Sequence, residues 1–266
     1  MVGMKSHRWL PIFIIGSTLL FFYVPIIILM IFSFNDSRSL TSWSGFSLQW
    51  YQALFDSREA MGAVTTTITI AIISTLISTF VGTLSAIGLS KSKKVVKDLV
   101  LNLNSFPIMN PEIVTAIGLM LLFSAFAIQR GFTTMLLAHI SFSIPYVILS
   151  LLPKLRSLDP NLAEAAMDLG ATPWQALTKV IVPQITPGIL AGALIAFTMS
   201  FDDFVISYFV TGGGVKNISI LVYTMSKRIN PTINALSTIL VVIITIVLVI
   251  VNVIPQGKKK EREQLG

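Results

Sequence analysis

The chain has 266 residues, 54% of them hydrophobic and 12% charged, roughly half the charged share of a soluble domain, and its mean hydropathy of +0.82 makes lipid its solvent. It contains no cysteine, which excludes a disulfide framework and cysteine metal sites, and its two histidines, His7 in a basic start and His139 in an apolar run, argue against a histidine metal site. A net charge of +7 could suit nucleic acid, but the basic residues gather between apolar runs, as on a membrane surface, so no nucleic acid is expected.

Met1 to Trp9 is short and basic, with Lys5 and Arg8. A first span is predicted over about 10–34, long enough to cross a bilayer of roughly 30 Å. It lacks the shorter apolar core and small-residue cleavage site of a signal peptide. Asn35 to Met61 is a polar connection carrying Trp43, Trp50, Tyr51 and Phe55. Such aromatics suit the membrane–water interface; interfacial anchoring and contact with an extracytoplasmic partner both remain open. A second span, 62–90, is rich in Thr, Ser, Ala and Gly, which lets helices pack closely. Lys91 to Lys97 is a basic turn. A third span, 99–126, is interrupted by Pro107, Asn110, Pro111 and Glu112, a break tolerated where it lines a cavity or faces other helices. A fourth, 132–152, is kinked by Pro145. A fifth, 185–210, carries Pro187 and the pair Asp202-Asp203. Thr211 to Pro231 is a polar loop, and 233–254 is a sixth span before a basic end at Lys258, Lys259, Lys260 and Arg262.

Between the fourth and fifth spans, residues 159–183 read as helix yet are polar enough to lie outside lipid. Asp159 can cap a helix beginning at Pro160. Leu162, Ala165, Ala166 and Leu169 recur at helical spacing, and Gly170 supplies the left-handed residue that ends that helix. Thr172-Pro173-Trp174-Gln175 opens a second helix with a threonine cap and a glutamine three residues on, and Pro183 marks its end. The expected object is an L with a glycine corner and a small-residue face of Ala163, Ala165 and Ala166.

Glu164-Ala165-Ala166, then Gly170, then Val180-Ile181-Val182-Pro183 resembles the EAA loop of ABC importer permeases. The chain departs from that pattern at Val180 and Val182, where the family has Ile and Leu. The resemblance implies an all-α integral membrane protein with six transmembrane helices, a type I ABC importer permease (MetI-like) fold, forming one transmembrane domain over 1–266 with both termini cytoplasmic. It further implies that Glu164, Ala165, Ala166, Asp168, Gly170 and Pro183 couple the chain to a cytoplasmic ATPase.

Charge counting agrees with that orientation. With both termini inside, thirteen of the 19 Lys and Arg residues fall on inner segments and six on outer ones, placing the 159–183 loop in the cytoplasm. No internal repeat is visible, which weakens an inverted-repeat secondary transporter. Gly212-Gly213-Gly214-Val215-Lys216 lacks the spacing of a phosphate-binding loop, and no nucleophile–base constellation is evident, so no enzyme activity is expected of this chain.

Three carboxylates, Glu112, Asp202 and Asp203, fall within the spans, and no Lys or Arg does. A charge at mid-membrane costs about 2.5–3.5 kcal/mol on insertion scales. Acids without an intramembrane base are expected to face water, a partner subunit or a cationic ligand, and here to line a cation pathway. Asp202 and Asp203 lie about 100° apart around a helix, so at most one points straight at that pathway. Glu112 has a second reading, as the start of a helix restarting after Pro111, and the Asp pair a second reading as solvated near the outer interface. Phe201, Tyr208, Tyr146, Phe204, Phe209 and Phe106 accompany the acids, and aromatic faces attract ammonium groups. This suits an extended polycation better than a metal ion.

The stretch Ser200 to Ser207, with Gln49-Trp50-Tyr51 and Asn110 to Val114, resembles the polyamine (spermidine/putrescine) branch of these permeases over nearly the whole chain. That implies a second permease subunit as heterodimer partner, two ATP-binding subunits that hold ATP and Mg, an extracytoplasmic polyamine-binding protein, and a bacterial cell membrane location. It also implies no cofactor in this chain. Alternatives are import of an amino acid or iron, an ion-coupled secondary transporter using the acids as proton relays, and an intramembrane enzyme binding a metal through them.

Overall fold

The computed structural model describes residues 9–39, 41–226, 230–246 and 249. The fold consists of two compact units, Gly62–Leu221 and the residues flanking it, through Met61 and from Val222 onward.

In the flanking unit, α1 (Trp9–Phe32) is apolar on every side and keeps Pro25 within it. None of its 22-residue apolar stretch is buried in the protein, as expected of a helix solvated by lipid. The connection after it folds on Asn35. The Asn35 amide donates to Ser39 O at 3.0 Å and Ser42 O at 2.9 Å, and its Oδ1 accepts from Ser44 N–H at 2.9 Å. Trp50 and Tyr51, on α2 (Gln49–Asp56), are tied to the same place: Trp50 Nε1 donates to Asn35 O at 2.7 Å, and Tyr51 OH lies 2.7 Å from Ser33 Oγ. Those two aromatics therefore hold the connection together, whereas Trp43 and Phe55 stay exposed.

The other unit holds most of α3 (Arg58–Lys91), then α4 (Lys94–Met109), α5 (Glu112–Ala125), α6 (Phe132–Arg156) and α7 (Leu162–Asp168). A turn of helix, α8 (Pro173–Gln175), runs through a π-helical stretch (Ala176–Ile181) into α9 (Val182–Asp202), followed by α10 (Val205–Val210) and the start of α11 (Ile218–Ser226). Its core is stitched by close backbone approach. Val147 of α6 sits between Gly82 of α3 and Gly192 of α9, and a Cβ at Gly82 would lie 2.7 Å from Val147 Cγ1. Ala86, Leu151, Ile185 and Ala196 extend that contact.

Among the described residues, four helices are long and apolar enough to cross a membrane, or five when α4 and α5 count as one bent span. The expected spans at 10–34, 62–90 and 132–152 correspond to α1, α3 and α6. The expected third span is two helices bent by 106° across Asn110-Pro111, where both residues take extended backbone angles. The expected fifth span stops at Asp202 rather than running to 210. The sixth is a shorter apolar helix, α12 (Thr232–Ile246), and the rest of the 233–254 stretch lies almost wholly outside the described residues, as do the basic ends.

Two local expectations in the 159–183 loop change. The first helix begins at Leu162, not Pro160; Asp159 instead accepts from Asn161 N–H at 2.9 Å in a turn. Pro183 does not end a helix either, because it is the second residue of α9, directly after the π stretch. A proline ring collides with the carbonyl of the fourth residue before it, and a widened π turn at that point gives the room.

Gly82→Ala should destabilise the chain by about 1–3 kcal/mol through overpacking against Val147. Gly118→Ala, where nothing lies within 4 Å, should cause no loss. Thermal unfolding of the detergent-solubilised chain distinguishes the two.

Candidate functional site: carboxylates at a broken membrane helix

Asp202 is the last residue of α9, and Asp203 turns the chain out of the helix with φ −58° and ψ 126°. A short acidic side chain competes with helical hydrogen bonding by offering the backbone a local acceptor. Asp203 does so: Oδ1 accepts from Ile206 N–H at 3.3 Å and Oδ2 from Ser207 N–H at 2.7 Å, so it caps α10. It is 8% exposed. Asp202 is exposed, and its backbone carbonyl accepts from Ser219 Oγ at 3.1 Å.

Contrary to the expectation drawn from the absence of Lys and Arg, a base lies beside these acids. His139 of α6 is 1% exposed, and its Nε2 is 3.4 Å from Asp203 Oδ2 and 2.9 Å from Ser207 Oγ. Its Nδ1 is 2.6 Å from Ser200 Oγ, which lies 3.0 Å from Ser74 Oγ on α3. With Nε2 protonated, the ring donates to Ser207 and Asp203 while Nδ1 accepts from the Ser200 hydroxyl. Asn217 closes the network, donating to Asp203 O at 2.7 Å and Ser207 Oγ at 3.0 Å. Thr67 Oγ1 accepts from Ile218 N–H at 2.8 Å, and Thr134 Oγ1 donates to Val210 O at 2.8 Å. The break between α9 and α10 is thereby fastened to α3, α6 and the start of α11. An ionisable residue inside a membrane helix marks a partner, and that signal was present at His139 in the sequence.

The expected pathway residues divide. Glu112, Tyr146 and Asp203 line one cavity, with Pro107, Thr115 and Phe142. Glu112 opens α5 directly after Pro111, as its second reading requires, and its place in the cavity leaves the first reading open as well. The cavity measures about 30 Å³, space for one or two waters. Asp202, Phe201 and Tyr208 do not line it. Phe201 stacks on Phe197 at 5.7 Å, and Tyr208 packs on Phe204 at 5.4 Å and on Phe209 at 5.8 Å. Among the described residues, no group of three His, Asp or Glu side chains is placed to hold a metal.

In the loop, Glu164, Ala165, Ala166 and Asp168 lie on α7. Gly170 has φ +87° and open space around it, so glycine is required there by backbone conformation and not by crowding. Thr172 Oγ1 accepts from Gln175 N–H at 3.3 Å, and Gln175 Oε1 accepts from Thr172 N–H at 2.9 Å, the expected reciprocal cap. Leu169 and Trp174 flank the corner at 91% and 70% exposure, an apolar tip that helical spacing alone does not disclose.

Asp203→Ala removes the α10 cap and leaves buried partners unsatisfied. It should lower stability by about 2 kcal/mol, against less than about 0.5 kcal/mol for Asp202→Ala at an exposed position. Thermal melts in detergent, run side by side, measure the difference.

Residues 78–257 match the family described as "Binding-protein-dependent transport system inner membrane component". The chain is 36% identical over 241 residues to the spermidine/putrescine transport system permease protein PotC of Escherichia coli K12, covering 90% of this chain and 91% of that protein. It is 38% identical over 224 residues to PotC of Haemophilus influenzae (84% and 87% covered), and 36% identical over 249 residues to the putrescine transport system permease protein PotI of E. coli K12 (89% and 86%). Among solved structures, a chain of a bacterial ABC transporter involved in import of the acidic polysaccharide alginate superposes with a TM-score of 0.68 at 18% identity, covering 92% of this chain and 94% of that one, which shows a shared fold. The chain therefore belongs to the binding-protein-dependent transport system inner membrane component family, as a homologue of the polyamine permeases PotC and PotI.

Proposed function

We propose that the chain is a transmembrane permease subunit of an ATP-driven importer of polyamines such as spermidine and putrescine. The observation that carries this is the 36% identity, across nine-tenths of the chain, to a permease named for spermidine/putrescine transport. The cavity in which Glu112, Tyr146 and Asp203 meet supplies what a polycation needs, acidic oxygens beside an aromatic ring. At about 30 Å³ that cavity holds water rather than a polyamine, and the cargo would pass between this chain and its partner permease. Asp202, exposed at the same helix break, is the carboxylate free to meet cargo or the facing permease. Phe201 and Tyr208, on the helices either side of the break, complete the proposed cation path.

The whole chain acts as one transmembrane domain of six spans, multi-pass in the bacterial inner membrane, with both termini cytoplasmic. A second permease completes the pore. Two ATPase subunits hold ATP and Mg, and an extracytoplasmic protein delivers substrate; the alginate transporter was solved with a periplasmic protein bound, which supports that arrangement. The ATPases engage α7 and the Gly170 corner through Glu164, Ala165, Ala166, Asp168 and the apolar tip, with Pro183 beyond. From that corner the helix runs unbroken through 30 residues, Pro173–Asp202, a rod of about 45 Å ending at the carboxylates. A push on the corner is thus delivered to the Asp202–Asp203 break by a single element.

Labelled spermidine uptake should require the ATPase subunits and survive collapse of the proton gradient; uptake that follows the gradient instead points to a secondary transporter. Gly170→Val, strained by about 1–2 kcal/mol at positive φ, should leave the chain in the membrane and ATP hydrolysis running while uptake falls. Unchanged uptake per ATP would remove the corner from the coupling path.

A further inference from the structure

The ends of α3 and α6 and the starts of α4 and α7 enclose a cleft of about 230 Å³. Of these, α3 and α6 are long and apolar enough to cross a membrane, and their ends set the cleft at the level of lipid headgroups. One wall is apolar, formed by Ile87, Leu152 and Leu155. Three cations, Lys91, Lys97 and Arg156, line the remainder with a single carboxylate, Asp159, whose Oδ1 already accepts from Asn161 N–H. Among the described residues, none of the three cations has an ion-pair partner. Lys91 and Arg156 sit at helix C-termini, where a cation is favourable. Lys97 does not: it lies in the opening turn of α4, where the helix dipole disfavours positive charge. An anion in the cleft would offset that.

We propose that this cleft binds the phosphate group of an anionic phospholipid, with its glycerol end against the half-buried Ile87 and Leu155 and its acyl chains continuing into the bilayer. The shared chemistry is a phosphate anion, and the apolar wall selects the lipid over the free ion. Basic pockets between membrane helices are established headgroup sites, and each cation contributes about fivefold in affinity for an anionic surface.

The test uses the full-length chain in detergent, with bound lipid read by native mass spectrometry during titration of phosphatidylglycerol, phosphatidylcholine or inorganic phosphate. Phosphatidylglycerol should bind in preference to phosphatidylcholine and resist displacement by inorganic phosphate. Lys91→Gln with Lys97→Gln should weaken it about 25-fold. Lys93→Gln with Lys94→Gln removes the same charge from the same region outside the cleft and should weaken binding far less. Arg156→Gln alone should weaken binding about fivefold and serves if the double variant fails to purify. Equal losses in both double variants, equal binding of the zwitterionic lipid, or displacement by inorganic phosphate at matched concentration would each overturn the proposal.

Discussion

A carboxylate closed among membrane helices has to be satisfied by the protein around it, and Asp203 is. Backbone N–H groups of Ile206 and Ser207 and the imidazole of His139 meet its two oxygens in a space that water reaches poorly. In a low dielectric such a network is strong when complete and costly when one member is missing. The arrangement lets the chain leave α9 and restart as α10 inside the bundle without stranding backbone donors. Serines and Asn217 complete it from α3 and the segment before α11. The broken helix and the buried acid are therefore one feature.

The same break gives the two aspartates different work. Adjacent in sequence, they part because the backbone turns between them: Asp203 faces inward to cap and to meet His139, and Asp202 faces out. Glu112 reaches the Asp203 side from another interruption, the 106° bend at Asn110-Pro111. Irregular backbone at membrane depth is tolerated where it is buried in protein or lines a cavity, and both interruptions converge on one small cavity. At the far end of the rod, Gly170 permits the corner from which α8 departs.

Features set by local chemistry were legible in the sequence. Thr172 and Gln175 cap each other as their spacing indicates, Gly170 takes positive φ, and α1, α3 and α6 follow from apolar length. Features set by distant partners were not. His139 lies on α6 and Asp203 at the break between α9 and α10, and no periodicity rule joins them, so the acids read as lacking a base. Pro183 reads as a stop by its ring and missing N–H, but the preceding π stretch accommodates it. Pro111 disclosed a break in the third span, not the angle it imposes. The family relationship was carried by Glu164-Ala165-Ala166 and Gly170, whose spacing records a shape rather than a composition.

If Asp203 serves the proposed cation pathway, the imidazole of His139 that meets it serves that pathway too. A double-mutant cycle of His139→Gln and Asp203→Asn, read as the KM for spermidine in ATP-driven uptake by the reconstituted transporter, tests it most directly. The double variant should be impaired no more than the worse single variant. Two effects that simply add would show that His139 and Asp203 act on uptake separately, not through their contact, and would contradict it.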